Sequence, residues 1–138
     1  KLSSHSGQIA FPGGKIDEAD ASPEFAALRE AWEEIGLDQD EVQVIGRLPD
    51  YYTGSGFRVA PIIGEVSSKA DYKINKDEVD YKFEVPLEFL MNPSNHITAS
   101  KMVRGSNRNY YEMPYEGHYI WGVTAGIIRV MHDRLFST

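Results

Sequence analysis

Three glutamates in one short segment could together bind a divalent cation. Glu30, Glu33 and Glu34 are spaced i, i+3 and i+4, and because a helix turns by about 100° per residue they would project from one face. At neutral pH such carboxylates repel one another by roughly a few tenths of a kcal/mol per pair. A divalent cation would reverse the sign of that interaction, since carboxylate oxygens are ligands that Mg²⁺ prefers.

Two neighbouring features support a cation site over the simpler interpretation, the solvated face of an amphipathic helix. Arg29 precedes Glu30 directly, and a guanidinium can orient a carboxylate through two parallel hydrogen bonds. Upstream, the run from Phe11 to Gly14 reads Phe-Pro-Gly-Gly, and glycine lets backbone carbonyls approach a ligand closely. The residues therefore predict a magnesium-type site.

The acidity of the chain is local. The net charge is −7, and residues 16–46 hold ten acidic residues and one basic residue, whereas the remainder holds eleven acidic and thirteen basic residues. An acidic patch repels phosphates unless cations intervene, so binding to duplex nucleic acid is not expected. There is no cysteine, which excludes disulfides and thiolate chemistry. No apolar run approaches the roughly 18 residues of a membrane span.

The helix that must carry the glutamates is well bracketed in the sequence. Ser22 is a good N-cap, Pro23 fits the first helical position and Gly36 is a natural stop, so a helix over 23–35 is predicted. Four apolar residues fall on the side opposite the glutamates: Phe25, Leu28, Trp32 and Ile35. We expect that side to pack on a sheet.

The rest of the chain predicts that sheet. Extended segments or strands are expected at 7–11, 42–48, 57–66, 79–85, 97–104 and 108–113. The range 79–85 alternates apolar and charged residues, which is typical of a half-buried strand. A turn at 105–107, a short helix over 86–91 and a final helix capped by Thr124 complete the prediction. The expected fold is α/β, a mixed sheet flanked by two helices.

The segment from Gly14 to Leu37 resembles the Nudix box. It reads Gly14-x5-Asp20-x8-Arg29-Glu30-Ala31-x-Glu33-Glu34-x-Gly36-Leu37, and the family pattern is Gly-x5-Glu-x7-Arg-Glu-U-x-Glu-Glu-x-Gly-U, where U is aliphatic. Asp20 takes the place of the first glutamate, with one extra residue before Arg29. The preceding run from Ser4 to Gly14 resembles the additional signature of Nudix coenzyme A pyrophosphatases, in which Gly-x3-Phe-Pro-Gly-Gly precedes the box.

The resemblance implies a fold and an activity. The fold would be an α/β/α sandwich with a mixed sheet between helices, and residues 1–138 would form one Nudix domain without its N-terminal strand. The activity would be metal-dependent hydrolysis of the pyrophosphate bond of a nucleoside diphosphate derivative, with Mg²⁺ or Mn²⁺ as the cofactor.

The resemblance also implies roles for individual residues. The metal would be held by Glu30, Glu33 and Glu34, and the Gly13 carbonyl would complete its coordination. Arg29 would orient the glutamates. The general base would be Glu30 or Glu33 within the box, or a glutamate from a distant loop, for which the candidates are Glu78, Glu112 and Glu116.

The subgroup signature implies coenzyme A or acyl-CoA as substrate, with adenosine 3′,5′-bisphosphate and 4′-phosphopantetheine as products. Basic residues outside the acidic patch could meet the additional phosphate: Lys15, Arg58, Arg104 and Arg108. Tyr51, Tyr52 and Phe57 could stack on adenine, although Phe57 also suits a core position. The expected partner is thus a small nucleotide. The protein is expected to be cytoplasmic and not to contact a membrane, and it could form a homodimer.

Two other functions compete with this one. The first is a Nudix pyrophosphatase that acts on ADP-ribose or another nucleotide, which a shared fold cannot distinguish. The second is a non-catalytic module that senses a nucleotide. Loss of box glutamates would indicate such a module, and all three are present in this chain.

Overall fold

The computed structural model describes residues 8–136 of the chain. The described part contains three α-helices: α1 (Pro23–Ile35), α2 (Leu87–Leu90) and α3 (Gly122–Phe136). It contains six strands: β1 (Val42–Arg47), β2 (Tyr51–Tyr52), β3 (Arg58–Val59), β4 (Ile62–Val66), β5 (Ile97–Val103) and β6 (Ser106–Glu112). The chain divides after Phe83 into two compact units, the first and the second unit below.

Two small antiparallel sheets belong to the first unit. β1 pairs with β4, with a shift of register between Val44 and Gly46, and β2 pairs with β3. The predicted strand over 57–66 is therefore broken at 60–61 into β3 and β4. Proline has no N–H to donate to a ladder, and the carbonyl of Pro61 instead accepts from the Leu48 N–H at 3.0 Å.

Helix α1 has the predicted bounds, and its two ends show why. At the N-terminus, the Ser22 hydroxyl accepts a hydrogen bond from the Phe25 N–H at 3.1 Å. At the C-terminus, Gly36 has a φ of 66°, and this left-handed conformation, which costs glycine little, ends the helix. Glu24 in the first turn of α1 forms two hydrogen bonds of 2.8 Å with the guanidinium of Arg47 on β1. This pair links the helix to the first sheet.

The predicted apolar face of α1 is not its buried face. Phe25 is 42% exposed and Trp32 is 58% exposed, while the buried residues of the helix are Ala26 and Ala31. Alanine permits a close approach of backbones that larger side chains would prevent, so α1 packs through its small residues. The prediction that Phe25 and Trp32 face the sheet was therefore wrong.

The segment after β4 closes the C-terminal end of α1. The Lys73 N–H donates to the Ile35 carbonyl at 2.8 Å, and the Asn75 N–H donates to the Glu34 carbonyl at 2.9 Å, so two carbonyls that a helix end leaves unpaired are satisfied. A Cβ at Gly36 would lie 2.7 Å from the Lys73 carbonyl oxygen. Glycine at this position therefore permits both the helix stop and the crossing of residues 73–75, which we call the strap.

The second unit is built on a β-hairpin. β5 and β6 pair without a shift of register, from the pair of Ile97 with Glu112 to the pair of Val103 with Ser106. The turn therefore consists of Arg104 and Gly105, one residue fewer than predicted. Bridges at Glu112–Trp121 and Tyr115–His118 extend the sheet by residues 118–121. Four buried residues form the core of this unit: Met113, Ile120, Ala125 and Ile128.

Three predictions about the sheets and α3 were wrong. Residues 79–85 form no strand, because the Val79 N–H donates to the Asn75 carbonyl in a turn and so is not free for a ladder. The described strands form three separate two-stranded antiparallel sheets in place of one mixed sheet. α3 begins at Gly122, two residues before the predicted cap Thr124.

The predicted N-terminal segment is only partly described. Residues 8–11 are not in a strand, and residue 7, like the Ser4–Gly7 part of the upstream signature, lies outside the described residues. Among residues 8–136 no helix is both long and apolar enough to cross a membrane.

Candidate functional site

Two of the three predicted glutamates meet the glycine pair of the preceding loop. The Gly13 N–H donates to Glu34 Oε1 at 3.3 Å. A Cβ built on Gly14 would lie 2.6 Å from Glu30 Oε2, closer than real side-chain atoms approach. The Gly13-Gly14 backbone therefore lies directly against the carboxyl groups of Glu30 and Glu34, which we call the carboxyl pair.

The surroundings of Glu34 disfavour a negative charge on its carboxyl group. Burial raises the pKa of Glu34 to about 7, and a hydrogen bond with Glu30 and the charges of Glu30 and Glu78 act in the same direction. The Gly13 N–H opposes the shift because it stabilises the ionised form. Near neutral pH the Glu34 carboxyl is therefore protonated part of the time.

Arg29 is fixed by several acceptors on the other side of Glu30. Its guanidinium donates to both oxygens of Asp20 at 2.9 Å and to the Lys15 carbonyl at 3.2 Å. Its Nη1 donates to Glu30 Oε2 at 3.2 Å and to Glu33 Oε1 at 3.3 Å. Arg29 therefore touches two of the box glutamates, while the paired bonds to Asp20 determine where its guanidinium lies.

Asp20 is the residue whose importance the sequence reasoning missed. Only 2% of its side chain is exposed, and the Arg29 guanidinium lowers the pKa of its carboxyl below the ordinary value. The position of Asp20 in the box, where the family pattern has glutamate, was the signal that could have identified it. The structure gives it a positioning contact with Arg29.

The carboxyl pair suits a hard divalent cation. Its donors are carboxylate oxygens beside exposed glycine backbone, and Mg²⁺ is commonly held by one or two carboxylates together with waters and substrate phosphates. Glu33 is bound to Arg29. Over residues 8–136 no three Asp, Glu or His side chains are grouped closely enough to hold an ion by themselves. The site thus fits an ion that water and substrate oxygens also coordinate.

Of the distant glutamates, Glu78 belongs to the same unit as the carboxyl pair. Its charge contributes to the raised pKa of Glu34. The strap explains its position, because Asn75 bonds the Glu34 carbonyl and also accepts the Glu78 N–H at 3.0 Å. Glu112 and Glu116 belong to the second unit, where Glu112 accepts the Tyr119 hydroxyl.

Most of the residues predicted to bind substrate lie in two places within the first unit. Lys15 is exposed next to the glycine pair. The β2–β3 hairpin carries Tyr51, Tyr52, Phe57 and Arg58, whereas Arg104 and Arg108 belong to the second unit. Phe57 is 66% exposed, so the alternative that it is a core residue is wrong. Arg58 lies 3.7 Å from the Asp50 carboxylate, an exposed ion pair that a phosphate could replace.

Comparison with known proteins places the chain in a family. The NUDIX domain family matches residues 2–103. The chain is 40% identical over 129 residues to an uncharacterized Nudix hydrolase, NudL, of Citrobacter koseri, an alignment that covers 94% of this chain and 67% of that protein. The NudL proteins of Escherichia coli K12 and Shigella boydii are 40% and 41% identical over 128 residues, with 93% and 67% coverage. The chain therefore belongs to the Nudix hydrolases, pyrophosphatases that act on phosphoric anhydrides.

Proposed function

We propose that this Nudix hydrolase cleaves the pyrophosphate bond of coenzyme A or acyl-CoA with Mg²⁺ or Mn²⁺ as cofactor. The products would be adenosine 3′,5′-bisphosphate and 4′-phosphopantetheine. The observation that carries the proposal is the carboxyl pair: Glu30 and Glu34 are held against the Gly13-Gly14 backbone, where a cation would relieve their repulsion and attract a diphosphate.

The glycine pair supports the choice of coenzyme A among diphosphate substrates. The Phe-Pro-Gly-Gly run resembles the signature of the coenzyme A subgroup, and Gly13 and Gly14 are the residues in contact with Glu34 and Glu30. The part of the signature that can be compared therefore coincides with the site itself.

The residues of the chain divide the chemistry among them. When bound, the divalent ion neutralises diphosphate charge and makes water a better nucleophile. Glu30 and Glu34 would hold that ion, with the Gly13 carbonyl as a further oxygen donor. Arg29, positioned by Asp20, would orient Glu30 and Glu33, and a guanidinium so close to the site stabilises charge that develops on the phosphates.

Three carboxylates are candidates for the general base. Glu30 and Glu33 lie within the box, and Glu78 lies on the loop after the strap. Glu78 is exposed and is not bound to Arg29, so its carboxylate is available to take the proton from water that attacks phosphorus. As the water oxygen bonds to phosphorus, its proton would pass to Glu78 and the bond from that phosphorus to the bridging oxygen would break, which releases the other phosphate as the leaving group.

The substrate side of the site would use the first unit. Lys15 and Arg58 would bind the 3′-phosphate that distinguishes coenzyme A, and Tyr51 and Phe57 would stack on adenine. The exposure of Phe57 and the weak ion pair of Arg58 support these roles.

A substrate panel read by product mass tests the proposal. Coenzyme A, acetyl-CoA, dephospho-CoA and ADP-ribose would each be incubated with Mg²⁺, with Mn²⁺ and with chelator. We expect phosphopantetheine to be released from coenzyme A in either metal and not in chelator, and dephospho-CoA to react more slowly. Faster turnover of ADP-ribose than of coenzyme A would contradict the substrate, and turnover in chelator would contradict the metal.

A further inference from the structure

The second unit carries aromatic rings and cations on one face of its hairpin. Side chains alternate between the two faces of a strand, and Met113 and Ile120 on one face belong to the buried core. The other face carries Glu112 and also includes five residues that we call the ring face: Lys101, Arg108, Tyr110, Tyr119 and Trp121.

The rings of this face form a continuous aromatic surface. Tyr119 and Trp121 are stacked, with ring centres 5.8 Å apart and planes 19° apart, and Tyr110 meets Trp121 edge-on at 5.7 Å. Tyr119 is 45% exposed. Its hydroxyl donates to the carboxylate of Glu112, a contact that fixes the ring in place. The rings are thus held in a fixed arrangement in which Tyr119 is the most exposed.

Two cations lie on the same face as these rings, and the acid of that face, Glu112, is bonded to the Tyr119 hydroxyl. Lys101 and Arg108 are direct partners across the hairpin, an arrangement of like charges that destabilises a sheet. Among the described residues neither forms an ion pair with a carboxylate. Lys101 instead places its ammonium 5.1 Å from the Trp121 ring centre and 6.0 Å from that of Tyr110.

The turn adds a third cation next to this pair. Arg104 has a φ of 51°, a conformation that favours glycine or asparagine, and it is exposed. Residues 84–138 contain five acidic and five basic residues, so the cations at the hairpin end reflect their placement and not a general excess of basic residues. A bound anion would relieve the repulsion among these three positive charges.

We propose that the ring face binds a mononucleotide, with the base stacked on the aromatic surface and the phosphate held by Lys101 and Arg108. Stacking on aromatic side chains recognises any base, and cations bound to phosphate oxygens supply charge-assisted hydrogen bonds. This site is additional to the carboxyl pair and does not depend on the proposed hydrolysis.

Tryptophan fluorescence of the whole chain tests this site. The sequence has two tryptophans, so the Trp32→Phe variant reports from Trp121 alone. AMP, adenosine and inorganic phosphate would each be titrated in chelator, and AMP has no pyrophosphate bond to cleave. We expect saturable quenching by AMP, with adenosine and phosphate at least about tenfold weaker, the effect of losing one or two charge-assisted contacts.

Charge variants locate the ligand. Lys101→Ala should weaken AMP about tenfold and leave adenosine unchanged, whereas Lys69→Ala, an exposed lysine of the first unit, should change neither. Equal affinity for adenosine and AMP, no saturable quenching, or equal loss in Lys69→Ala would overturn the inference.

A Glu34→Gln variant separates this proposal from the proposed function. AMP affinity should persist in it, and its loss would place the nucleotide at the carboxyl pair and overturn the ring face as a site. Hydrolysis of coenzyme A is measured independently, so either proposal can fail while the other stands.

Discussion

The carboxyl pair on α1 and the ring face of the β5–β6 hairpin are opposites in charge. In the first, burial together with the neighbouring charges of Glu30 and Glu78 raises the pKa of Glu34 to about 7. In the second, Lys101 and Arg108 face each other across a ladder, with the Lys101 ammonium over the Trp121 ring. Each region holds like charges that its own unit does not fully neutralise. The difference teaches that the sign of the uncompensated charge indicates the ligand, a cation in one case and a phosphate in the other.

The largest expected effect comes from removing one carboxylate of the pair. Glu34→Gln should lower metal-dependent hydrolysis by on the order of 100-fold or more, because it removes a charged ligand at the reacting centre. Steady-state turnover with saturating Mg²⁺ measures this loss. Glu65→Gln, on the exposed edge of β4, is the matched control and should retain activity. Equal activity of the two variants would remove Glu34 from the mechanism.

The same variant should gain stability at alkaline pH. The pKa of Glu34 is raised from 4.5 to about 7 in the folded state, so folding binds a proton between these values and the ionised carboxylate costs stability above them. Above pH 7, Glu34→Gln should therefore have a free energy of unfolding about 1 kcal/mol higher than the parent, and a higher Tm. The full pKa shift would correspond to a larger free energy, but solvent screens the charge of a half-exposed group. Near pH 4 the two proteins should melt alike. A lower Tm at pH 8 would contradict the charge repulsion.

A methyl group at Gly14 tests the geometry of the pair. In Gly14→Ala the new Cβ would start 2.6 Å from Glu30 Oε2, so the carboxylate must move away and hydrolysis should fall by about 10- to 100-fold, as when the support of a metal ligand is lost. The control is Gly46→Ala on β1, where a Cβ meets nothing within 4 Å. Calorimetric titration with Mn²⁺ should show that Gly14→Ala binds the ion more weakly than the parent and that Gly46→Ala binds it as tightly as the parent.

Asp20→Asn tests the positioning of Arg29. The lowered pKa of Asp20 means that its stabilising effect is present above the ordinary value of 3.8 and is lost as the pH falls through the folded pKa. The variant should therefore have a lower Tm than the parent at pH 7, and the difference in Tm should shrink as the pH falls below 3.8. Its turnover should fall less than that of Glu34→Gln, since Asp20 acts through Arg29. A pH-independent difference in Tm would contradict the ion pair.

The smallest expected effect concerns the ring face. Arg108→Glu places an acid opposite Lys101 and should stabilise the hairpin by about 0.5 kcal/mol, measured by thermal melting. The same change should weaken AMP binding, since a phosphate would then meet a carboxylate. Glu112 is unsuitable as a control because it holds Tyr119. Lys69→Glu, at an exposed lysine of the first unit, reverses one positive charge away from the ring face and should alter neither property.

The sequence predicted those parts of the fold whose causes lie within a few residues. The bounds of α1 follow from Ser22, Pro23 and Gly36, and the β5–β6 hairpin follows from its strand pattern and turn. The alternation over 79–85 was misleading, because a strand needs a partner and alternation of side chains does not supply one. The prediction of one mixed sheet was wrong for the same reason, since pairing between distant strands is not encoded in local patterns.

The candidate site was predictable in its residues but not in its contacts. Helical spacing puts Glu30, Glu33 and Glu34 on one side, yet it does not reveal that Glu33 bonds to Arg29 while Glu34 meets Gly13. Asp20 reaches Arg29 across a loop whose path has no periodic signal. The strap also connects residues about forty positions apart in the chain, a separation at which local patterns give no information.

The strap mechanically couples two halves of the proposed catalytic apparatus. Because Gly36 has no side chain to keep Lys73 away, the backbone of residues 73–75 is bonded to the end of the helix that carries Glu30 and Glu34. A displacement of that helix would carry Glu78 with it. The distance from Glu30 and Glu34 to Glu78 would therefore change little when the helix moves. A substrate would have to fit that distance.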